Sequence, residues 1–238
     1  MKVLVIVPTY NERENVAAVV RGILEFGPGG TDVLIVDDSS PDGTGELADE
    51  LAEKSGRVSV LHRPSKSGLG SAYLDGFRRA VERGYDAAVE LDADGSHDPA
   101  DLVRLVAAVR DGVDLSIGSR RVPGARIEGW GIGRHIVSWC ASSAARIMLG
   151  LGVRDASSGF RCLSRRATET LLASPLRSSG YAFQEESLFW LQRSGCRAVE
   201  LPVVFRNRTA GRSKADWREA ADLIRILFRL SQRRRFRG

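Results

Sequence analysis

Short apolar runs alternate with segments of helical periodicity through the first half of the chain. Short segments in which apolar residues predominate, bounded by turn residues, predict buried strands. They occur at residues 3–7, 32–38, 58–63, 87–91 and 114–120. Between these runs, apolar residues recur every three or four positions, which predicts helices. Alternation of this kind is typical of an α/β domain whose mainly parallel central sheet is covered by helices on both faces.

Local signals predict where several of these helices begin. Asn11 and Glu14 have the spacing of a capping box before the first helix. Thr44 opens the second predicted helix. Asp98 stands before Pro99, and the two together are typical of an N-cap followed by the first helical residue.

The second half of the chain has a less regular pattern. It predicts helices at 136–149 and around Thr168 and Ser187, with strands at 160–163 and 198–205. No internal repeat or linker rich in proline and glycine divides the sequence. We therefore predict one domain over residues 1–215, followed by an amphipathic basic helix and tail over residues 216–238.

Charge is concentrated at the C-terminal end of the chain. The 238 residues carry a net charge of +5. Residues 225–238 contain six arginines and no acidic residue, which leaves the rest of the chain with 29 basic and 30 acidic residues. A nearly neutral body is not typical of nucleic-acid binding, and we expect no nucleic-acid partner. The basic tail instead predicts a local contact with an anionic surface.

The cysteines and the apolar segments indicate the cellular compartment in which the protein is expected. Cys140, Cys162 and Cys196 are scattered, which favours free thiols in a reducing compartment over a disulfide framework or a zinc site. The apolar run at the N-terminus is short and ends at Pro8, unlike a signal peptide. No stretch approaches eighteen uninterrupted apolar residues, so no membrane span is predicted. We expect a cytoplasmic protein.

Two aspartates follow the fourth predicted strand. Asp92 and Asp94 are two positions apart, so in an extended chain they face the same side. Ligands of parallel α/β sheets bind beyond the carboxyl ends of the strands. Mg²⁺ and Mn²⁺ favour carboxylate oxygens together with substrate phosphates. The alternative is a solvated turn that caps the next helix, but Asp98 already fills that role. The pair therefore predicts a metal and diphosphate site.

Other motifs for catalysis or cofactor binding are weaker. The segment SGLGSA has Tyr73 where a dinucleotide fingerprint needs its third glycine, and it follows the third strand instead of the first. Its glycines are expected to allow a close approach at the start of a helix. There is no phosphate loop of the GxxxxGK[ST] type and no GxSxG elbow. His62, His97 and His135 are isolated, and we expect them to be structural.

Several motifs now stand in order along the chain: PTYNE, DDSSPDGT, KSGLGSA, DADGSH, GSR, DASSGFR, FQEE and RTAGRSK. Together they resemble the polyprenyl-phosphate (dolichyl-phosphate) mannosyltransferases of glycosyltransferase family 2. The resemblance extends from Val3 to about Lys214. It implies a GT-A fold, which is a single Rossmann-like domain with a mainly parallel sheet flanked by helices.

The resemblance implies roles for the matched residues of the donor site. The nucleoside pocket would be lined by Pro8, Tyr10, Glu12, Val36 and Asp38. Asp92, Ala93 and Asp94 would lie at the diphosphate. Asp92, Asp94 and Ser96 would hold Mg²⁺ or Mn²⁺, although the Ser96 hydroxyl is a weaker ligand than the amide carbonyl of a glutamine.

The remaining implied roles concern the transfer point and the acceptor. Arg120 would lie near the transfer point and, with Asp94 and Arg134, would be catalytic. Arg134 and Ser138 would bind the acceptor phosphate. Arg208 and Lys214 would come from a loop that closes over the donor diphosphate. The sequence departs from the family pattern at three positions: Gly95 where leucine is usual, Arg121 where an aromatic residue is common, and Ser157 where threonine is usual.

The implied reaction moves mannose from GDP-mannose to a polyprenyl monophosphate with inversion, giving a β-linked product. An anionic phosphate needs positioning and no general base. Alternatives are a transferase that uses UDP-glucose or another donor, and one with a hydroxyl acceptor, which would need a base such as Glu185 or Glu186. A degenerate, non-enzymatic binding subunit is a further alternative.

The C-terminal helix allows two interpretations. Leu223, Ile224, Leu227, Phe228 and Leu230 form its apolar side, and arginines surround them. Such a helix suits an anionic membrane surface, where the protein would act as a peripheral enzyme on the cytoplasmic face, with or without a separate membrane-anchoring protein. The alternative is a helix packed on the core with a solvated basic end.

Overall fold

A computed structural model of the chain describes residues 1–207 and 217–235. The strands within these residues are β1 (Val3–Thr9), β2 (Thr31–Asp37), β3 (Val58–His62), β4 (Ala87–Glu90), β5 (Leu115–Ser119), β6 (Arg126–Glu128), β7 (Arg161–Ser164), β8 (Ala198–Pro202) and β9 (Val204–Arg206). The helices are α1 (Val16–Phe26), α2 (Thr44–Lys54), α3 (Leu69–Glu82), α4 (Leu102–Arg110), α5 (Ile132–Leu149), α6 (Arg165–Ala173), α7 (Phe183–Arg193) and α8 (Trp217–Arg235).

The central sheet has the strand order β3–β2–β1–β4–β7–β5–β8, and β6 pairs with β9 in a separate small sheet. Helices cover both faces of the seven-stranded central sheet. Val5 packs with residues of α1, α2 and α4 on one face, whereas its neighbour Ile6 packs with residues of α3, α6 and α7 on the other. This alternation follows from the period of two along a strand. The predicted α/β architecture is confirmed.

One strand runs against the others. β7 is antiparallel to both β4 and β5, while β1 to β4 are parallel to one another and β5 is parallel to β8. Because β7 is reversed, the segment that precedes it lies at the edge where β4 and β5 end. Residues 154–160 therefore meet the residues that follow β4 and β5. The pattern of apolar residues predicted the strand but carried no information on its direction.

The predicted capping box at Asn11 and Glu14 is wrong. Asn11 has a positive φ of 54°. The backbone then forms a turn in which the carbonyl of Glu12 accepts from the amides of Asn15 and Val16, and α1 begins only at Val16. Asp98 does cap its turn, since its carboxylate accepts from the amide of Ala100 at 3.1 Å. The predicted strand at 198–205 is divided into β8 and β9.

The C-terminal helix packs on the core along one side. Ile226, Leu227 and Leu230 are buried in the cluster that covers one face of the sheet, while Ile224 and Phe228 are exposed. The buried side corresponds to the core-packed interpretation, and the exposed side leaves apolar surface in solvent. No helix in residues 1–207 or 217–235 combines the length and apolarity needed to cross a membrane. The predicted boundary at 215 lies outside the described residues.

Two glycines bring α3 close to its neighbours. A Cβ added at Gly70 would lie 2.6 Å from the Cβ of Phe183, and one at Gly76 would lie 2.6 Å from the Cγ2 of Ile6. Only a residue without a side chain permits these approaches. Gly70 belongs to the segment SGLGSA, so the expected close approach at the start of this helix is confirmed, whereas Gly76 lies further along α3.

We expect Gly76→Ala to lower the free energy of unfolding by about 1–3 kcal/mol, because Ile6 is fully buried and the packed core must shift to admit a methyl group. Urea denaturation measures the change. Gly133→Ala is the matched control: Gly133 also lies in a helix, and a Cβ there meets nothing within 4 Å. The control should keep or slightly raise stability. Unchanged stability in Gly76→Ala would contradict the close approach of α3 to β1.

Candidate active site

A pocket of about 150 Å³ opens at the edge where β1, β2 and β4 end. The position agrees with the rule that ligands of such sheets bind beyond the carboxyl ends of the strands. The ends of these strands and the residues that follow them supply most of its wall, and the start of α3, the loop before α3 and the loop before α7 supply the rest. The lining residues are Pro8, Thr9, Tyr10, Glu12, Asp38, Lys66, Gly68, Leu69, Ala72, Asp92, Ala93, Asp94 and Tyr181.

Most residues predicted for the donor site lie together in this pocket. The structure brings Pro8, Tyr10, Glu12, Asp38, Asp92, Ala93 and Asp94 to its wall. Val36 does not share their position, because its side chain is fully buried in the core. Six further lining residues were missed by sequence reasoning, and two of them, Lys66 and Tyr181, carry polar groups at the ends of long side chains. The ammonium of Lys66 lies 4.4 Å from the ring centroid of Tyr10, a cation–π contact that no local sequence signal indicates.

The two aspartates at the end of β2 have separate tasks. Asp37 accepts from the hydroxyls of Thr9 at 2.9 Å and Ser40 at 2.6 Å, and so fixes the loop that follows the strand. Asp38 faces the pocket and lies 3.0 Å from a guanidinium nitrogen of Arg63. Burial raises the pKa of Asp38 above its ordinary value, and the charge of Arg63 opposes that shift. Asp38 thus gives the pocket a partly compensated acidic wall.

Asp92 and Asp94 are each held by a donor. Asp92 Oδ1 accepts from the hydroxyl of Tyr73 at 3.1 Å. Asp94 Oδ1 accepts from the backbone amide of Ser96 at 3.0 Å. Ser96 is itself buried, and its carbonyl accepts from the amide of Arg206 at 2.9 Å. The two carboxylates therefore lie in one pocket with their orientations restricted.

This donor set fits a hard divalent cation. Asp92 and Asp94 offer carboxylate oxygens, and no group of three His, Cys, Asp or Glu side chains suited to a metal occurs within residues 1–207 and 217–235. A site with two protein carboxylates leaves most of the coordination sphere to water and substrate phosphates, as Mg²⁺ prefers. A structural zinc site would need four protein ligands.

Arg120 is held by Asp155 from the segment before β7. Its Nε donates to Asp155 Oδ2 at 2.8 Å and its Nη2 to Oδ1 at 2.7 Å, a bidentate pair. Nη2 also donates to the hydroxyl of Ser157 at 2.9 Å. Burial favours a raised pKa for Asp155, but the hydrogen bonds and charge of Arg120 hold it below its ordinary value. Arg120 is therefore charged, rigid and close to the edge of the sheet.

A second groove lies beside Arg120, along α5. It is lined by Arg120, Arg121, Ile127, His135, Ile136, Trp139, Cys140, Ser143, Arg146 and Arg154, and its volume is about 800 Å³. Four of these residues are arginines and none is acidic. Arg121, one of the three residues that depart from the family pattern, donates from Nη2 to the hydroxyl of Ser138 at 2.9 Å. The groove thus joins cationic groups to an apolar wall.

For three of the predicted site residues, the predicted role cannot be compared with a side-chain position. Arg208 and Lys214 lie outside the described residues. Arg134 belongs to the first turns of α5, but its side chain lies outside the described part of the structure. Their roles stay predictions.

The histidines pack in three different surroundings. His97 is buried between the rings of Phe160 and Phe205, whose centroids lie 5.0 and 5.1 Å from its own. Burial lowers the pKa of His97 to about 4, and the charge of Arg120 adds to the effect. His135 contacts Trp130 edge to face, and His62 pairs with Asp49 near the surface.

Glu185 and Glu186 are buried at the start of α7 but differ in their surroundings. Glu186 accepts from the amides of Arg177 and Ser178, from the Ser178 hydroxyl and from the guanidinium of Arg229 on α8. With so many donors, Glu186 is a poor candidate for a general base. Burial raises the pKa of Glu185 to about 7.

The loop held by Glu186 continues to the wall of the donor pocket. The carbonyl of Ser179 accepts from the amide of Gly70 at 2.7 Å, at the start of α3. A Cβ at Gly68 would lie 2.4 Å from the same carbonyl oxygen. Tyr181, two residues on, lines the pocket. The contacts of Glu186 therefore connect α8 to the pocket through one short loop.

We expect the stability of the protein to fall as pH rises through the range in which Glu185 resists ionisation. In the unfolded chain this carboxyl releases its proton near pH 4.5, whereas in the folded chain it does so near pH 7. Between these values the unfolded state alone gains from ionisation, so the free energy of unfolding declines with pH. The side chain introduced in Glu185→Gln cannot ionise. The free energy of unfolding of this variant should therefore fall less over this pH range than that of the parent, by roughly 1–3 kcal/mol.

Urea denaturation at about pH 5 and about pH 8 measures the difference between Glu185→Gln and the parent. Glu50→Gln is the matched control, because Glu50 is exposed and pairs with Lys54 on the surface of α2. It should keep the parental dependence on pH. An identical dependence in Glu185→Gln and the parent would contradict a neutral Glu185 in the folded protein.

Comparison with known proteins identifies the family. Residues 4–172 match the model of the family described as Glycosyl transferase family 2. The undecaprenyl-phosphate mannosyltransferase of Micrococcus luteus is 47% identical over 214 residues, which cover 90% of this chain and 87% of that protein. The polyprenol monophosphomannose synthase of Mycolicibacterium smegmatis is 46% identical over 214 residues, covering 90% of this chain and 80% of that one.

A solved structure supports the fold. Glucosyl-3-phosphoglycerate synthase from Mycobacterium tuberculosis, crystallised with Mn²⁺, UDP-glucose and phosphoglyceric acid, superposes with a TM-score of 0.72 at 20% identity. The match covers 97% of this chain and 80% of that one. The likeness confirms the predicted GT-A fold. Since the family model covers most of the sequence and the relatives are nearly half identical, the chain belongs to glycosyl transferase family 2.

Proposed function

We propose that this protein transfers mannose from GDP-mannose to a polyprenyl monophosphate, with inversion and with Mg²⁺ or Mn²⁺ bound. The observation that carries the proposal is the pairing of two sites that come together at Arg120, a residue of the second site whose charge interacts with that of Asp92 in the first. One is the pocket with Asp92 and Asp94, and the other is the groove with four arginines and an apolar wall. The two similar proteins named for polyprenyl-phosphate mannose synthesis support the choice of substrates.

The donor occupies the first pocket. The side formed by Pro8, Tyr10 and Asp38 holds the nucleoside, and the side formed by Asp92 and Asp94 faces the diphosphate. These two aspartates would hold the cation, which when bound neutralises charge that develops on the leaving diphosphate. Lys66, which lies over the ring of Tyr10, adds a positive charge to the same pocket. Arg208 and Lys214 remain predicted to close over the diphosphate.

The acceptor occupies the groove along α5. A lipid phosphate has an anionic head and an apolar chain, which match the arginines of the groove and its apolar residues, such as Ile136 and Trp139. Arg120 is fixed by Asp155, so it loses little conformational freedom on binding the phosphate. Arg121 and Ser138 are already joined by a hydrogen bond and present a second pair of donors.

The reaction needs no proton transfer to the protein. An oxygen of the acceptor phosphate attacks the anomeric carbon as the bond from that carbon to the GDP phosphate oxygen breaks, and GDP leaves with the electron pair. Because attack is opposite the leaving group, an α-linked donor gives a β-linked product. A phosphate monoester is anionic at neutral pH and needs only positioning.

One observation favours a different acceptor. A hydroxyl acceptor would need a general base, and the raised pKa of Glu185 would suit that role near neutral pH. Glu185 is buried and does not belong to the lining of either the donor pocket or the α5 groove. We therefore rank the phosphate acceptor first and keep the hydroxyl acceptor as the second candidate.

We further propose peripheral contact with an anionic membrane surface. α5 and α8 pack against each other, and both leave apolar side chains in solvent. The exposed residues are Ile132, Ile136, Val137, Trp139 and Ile147 on α5 and Ile224 and Phe228 on α8. Arg225 is exposed on the same C-terminal helix. Apolar and basic residues together suit the interface of an anionic membrane. A separate membrane-anchoring protein stays a prediction.

GDP-mannose should outcompete UDP-glucose as donor to a short polyprenyl phosphate in the presence of Mg²⁺ or Mn²⁺. Initial rates with radiolabelled sugar nucleotides and extraction of the lipid product measure the preference. Faster transfer from the uridine donor would overturn the donor assignment.

Asp94→Asn should fold normally but lose more than about nine-tenths of the transfer activity, which corresponds to a rise of roughly 1.4 kcal/mol in the barrier. The same transfer assay measures the loss. An active Asp94→Asn would overturn the role of the metal site.

Arg121→Ala and Arg134→Ala should each raise the acceptor KM or lower turnover about ten- to a hundredfold, since an arginine–phosphate contact is worth about 1.5–3 kcal/mol. The donor KM should change little, because the donor pocket is formed by other segments. Arg134→Lys should recover only part of the loss, since a point charge does not reproduce the planar fork of arginine. Varied polyprenyl phosphate at saturating donor gives these constants.

Arg165→Ala is the control for that series, since Arg165 lies on α6 and pairs with Glu169 on the surface. It should behave as the parent. Parental acceptor kinetics in both Arg121→Ala and Arg134→Ala would mean that the acceptor phosphate binds elsewhere.

A further inference from the structure

The hydroxyl of Tyr73 contacts Asp92, one of the predicted metal ligands. Tyr73 belongs to α3 and is fully buried, and its hydroxyl donates to Asp92 Oδ1 at 3.1 Å. On the other side of this carboxylate lies Gly159, where an added Cβ would stand 3.1 Å from Asp92 Oδ2. The carboxylate is therefore confined between a hydrogen-bond donor and a backbone that carries no side chain.

The ring of Tyr73 has no room to move. It stacks between Phe77 and Phe183, with centroid distances of 6.4 and 6.3 Å. The absence of a side chain at Gly70 lets Phe183 approach, and the absence of one at Gly76 lets the helix press on β1. Packing thus fixes the ring, and the fixed ring places the hydroxyl. This arrangement gives a purpose to the tyrosine that stands where a dinucleotide fingerprint would have glycine.

We propose that Tyr73 is a positioning residue that holds the Asp92 carboxylate in the orientation in which it binds the divalent cation. The inference rests on the metal-dependent function proposed above. Asp92 and Asp94 share one pocket, so their like charges favour rotation of the carboxylates away from each other when no cation is bound. A neutral hydroxyl that donates to one oxygen of Asp92 opposes that rotation and adds no charge.

The size of the effect follows from other metal sites. Partners that hydrogen-bond to a metal ligand commonly contribute ten- to a hundredfold in metal affinity or activity. The competing explanation is that Tyr73 is a core aromatic residue whose hydroxyl merely finds an acceptor. In that case, loss of the hydroxyl would change stability and leave metal affinity as it was.

Titration of Mn²⁺ in the presence of GDP, followed by electron paramagnetic resonance of the unbound ion, separates the two explanations. Tyr73→Phe keeps the stacked ring and removes only the hydroxyl. We expect it to raise the Kd for Mn²⁺ by about tenfold or more. Tyr85→Phe is the matched control, because the Tyr85 hydroxyl donates to Asp32 Oδ2 at 2.8 Å, the same chemistry at a place outside the pocket. It should bind Mn²⁺ as the parent does.

A second comparison tests whether the effect passes through Asp92. Asp92→Asn should weaken Mn²⁺ binding strongly, and adding Tyr73→Phe to it should have little further effect, since two residues that act as one unit are not additive. A parental Kd in Tyr73→Phe would overturn the proposal. Fully additive losses in the double variant would overturn it as well, since Tyr73 would then act independently of Asp92.

The titration contains neither sugar nor lipid. If the transfer assay fails with GDP-mannose and polyprenyl phosphate while Tyr73→Phe still weakens Mn²⁺ binding, only the proposed substrates fall. If transfer proceeds as proposed while Tyr73→Phe binds Mn²⁺ normally, only the positioning role falls. Thermal unfolding of both tyrosine variants shows whether each is folded during the titration.

Discussion

Negative charge gathers at one edge of the sheet, and each carboxylate there needs a donor to remain in place. Carboxylates a few ångströms apart repel one another, and burial increases the cost. The structure provides a separate partner for each acid: Arg63 for Asp38, the amide of Ser96 for Asp94, and Arg120 for Asp155. The arrangement of this edge depends on these pairings, because Arg63 and Arg120 each join two segments that are distant in sequence.

The reversed strand β7 makes several of these pairings possible. Had β7 been parallel to its neighbours, the segment before it would have started at the opposite edge of the sheet. Its antiparallel direction instead brings Asp155 to Arg120 and Gly159 to Asp92. One change of strand direction thereby places residues 154–160 beside Asp92, which lines the donor pocket, and beside Arg120, which lines the groove along α5.

The sequence was informative where chemistry follows directly from a local pattern. Asp92 and Asp94 could be placed because an apolar strand ends just before them, and such ends meet at one edge. The pairing of Asp155 with Arg120 could not be predicted, since 35 residues separate them and an apolar run does not encode strand direction. The capping box at Asn11 was wrong because Glu12 directs the turn before α1, and a spacing rule carries no information on backbone φ.

Family motifs supplied roles that physical reasoning on the residues alone did not. Seven of the residues expected in the donor site do meet in one pocket. Lys66, which begins the KSGLGSA motif, and Tyr181 also line this pocket, although the motifs assigned them no role there. Their positions depend on how tightly α3 and the loop before α7 pack, which is a property of the assembled core.

Glu186 connects the C-terminal helix to the wall of the donor pocket through a continuous series of contacts. Its carboxylate receives Arg229 from α8 on one side and the 177–178 backbone on the other, and the adjoining Ser179 carbonyl holds the start of α3. A tilt or shift of α8 would therefore displace the Glu186 side chain and, through it, the loop that contributes to the pocket wall. Truncation of the chain before α8 would leave that buried carboxylate without its only cationic partner among the described residues, so the helix cannot be removed as an independent appendage.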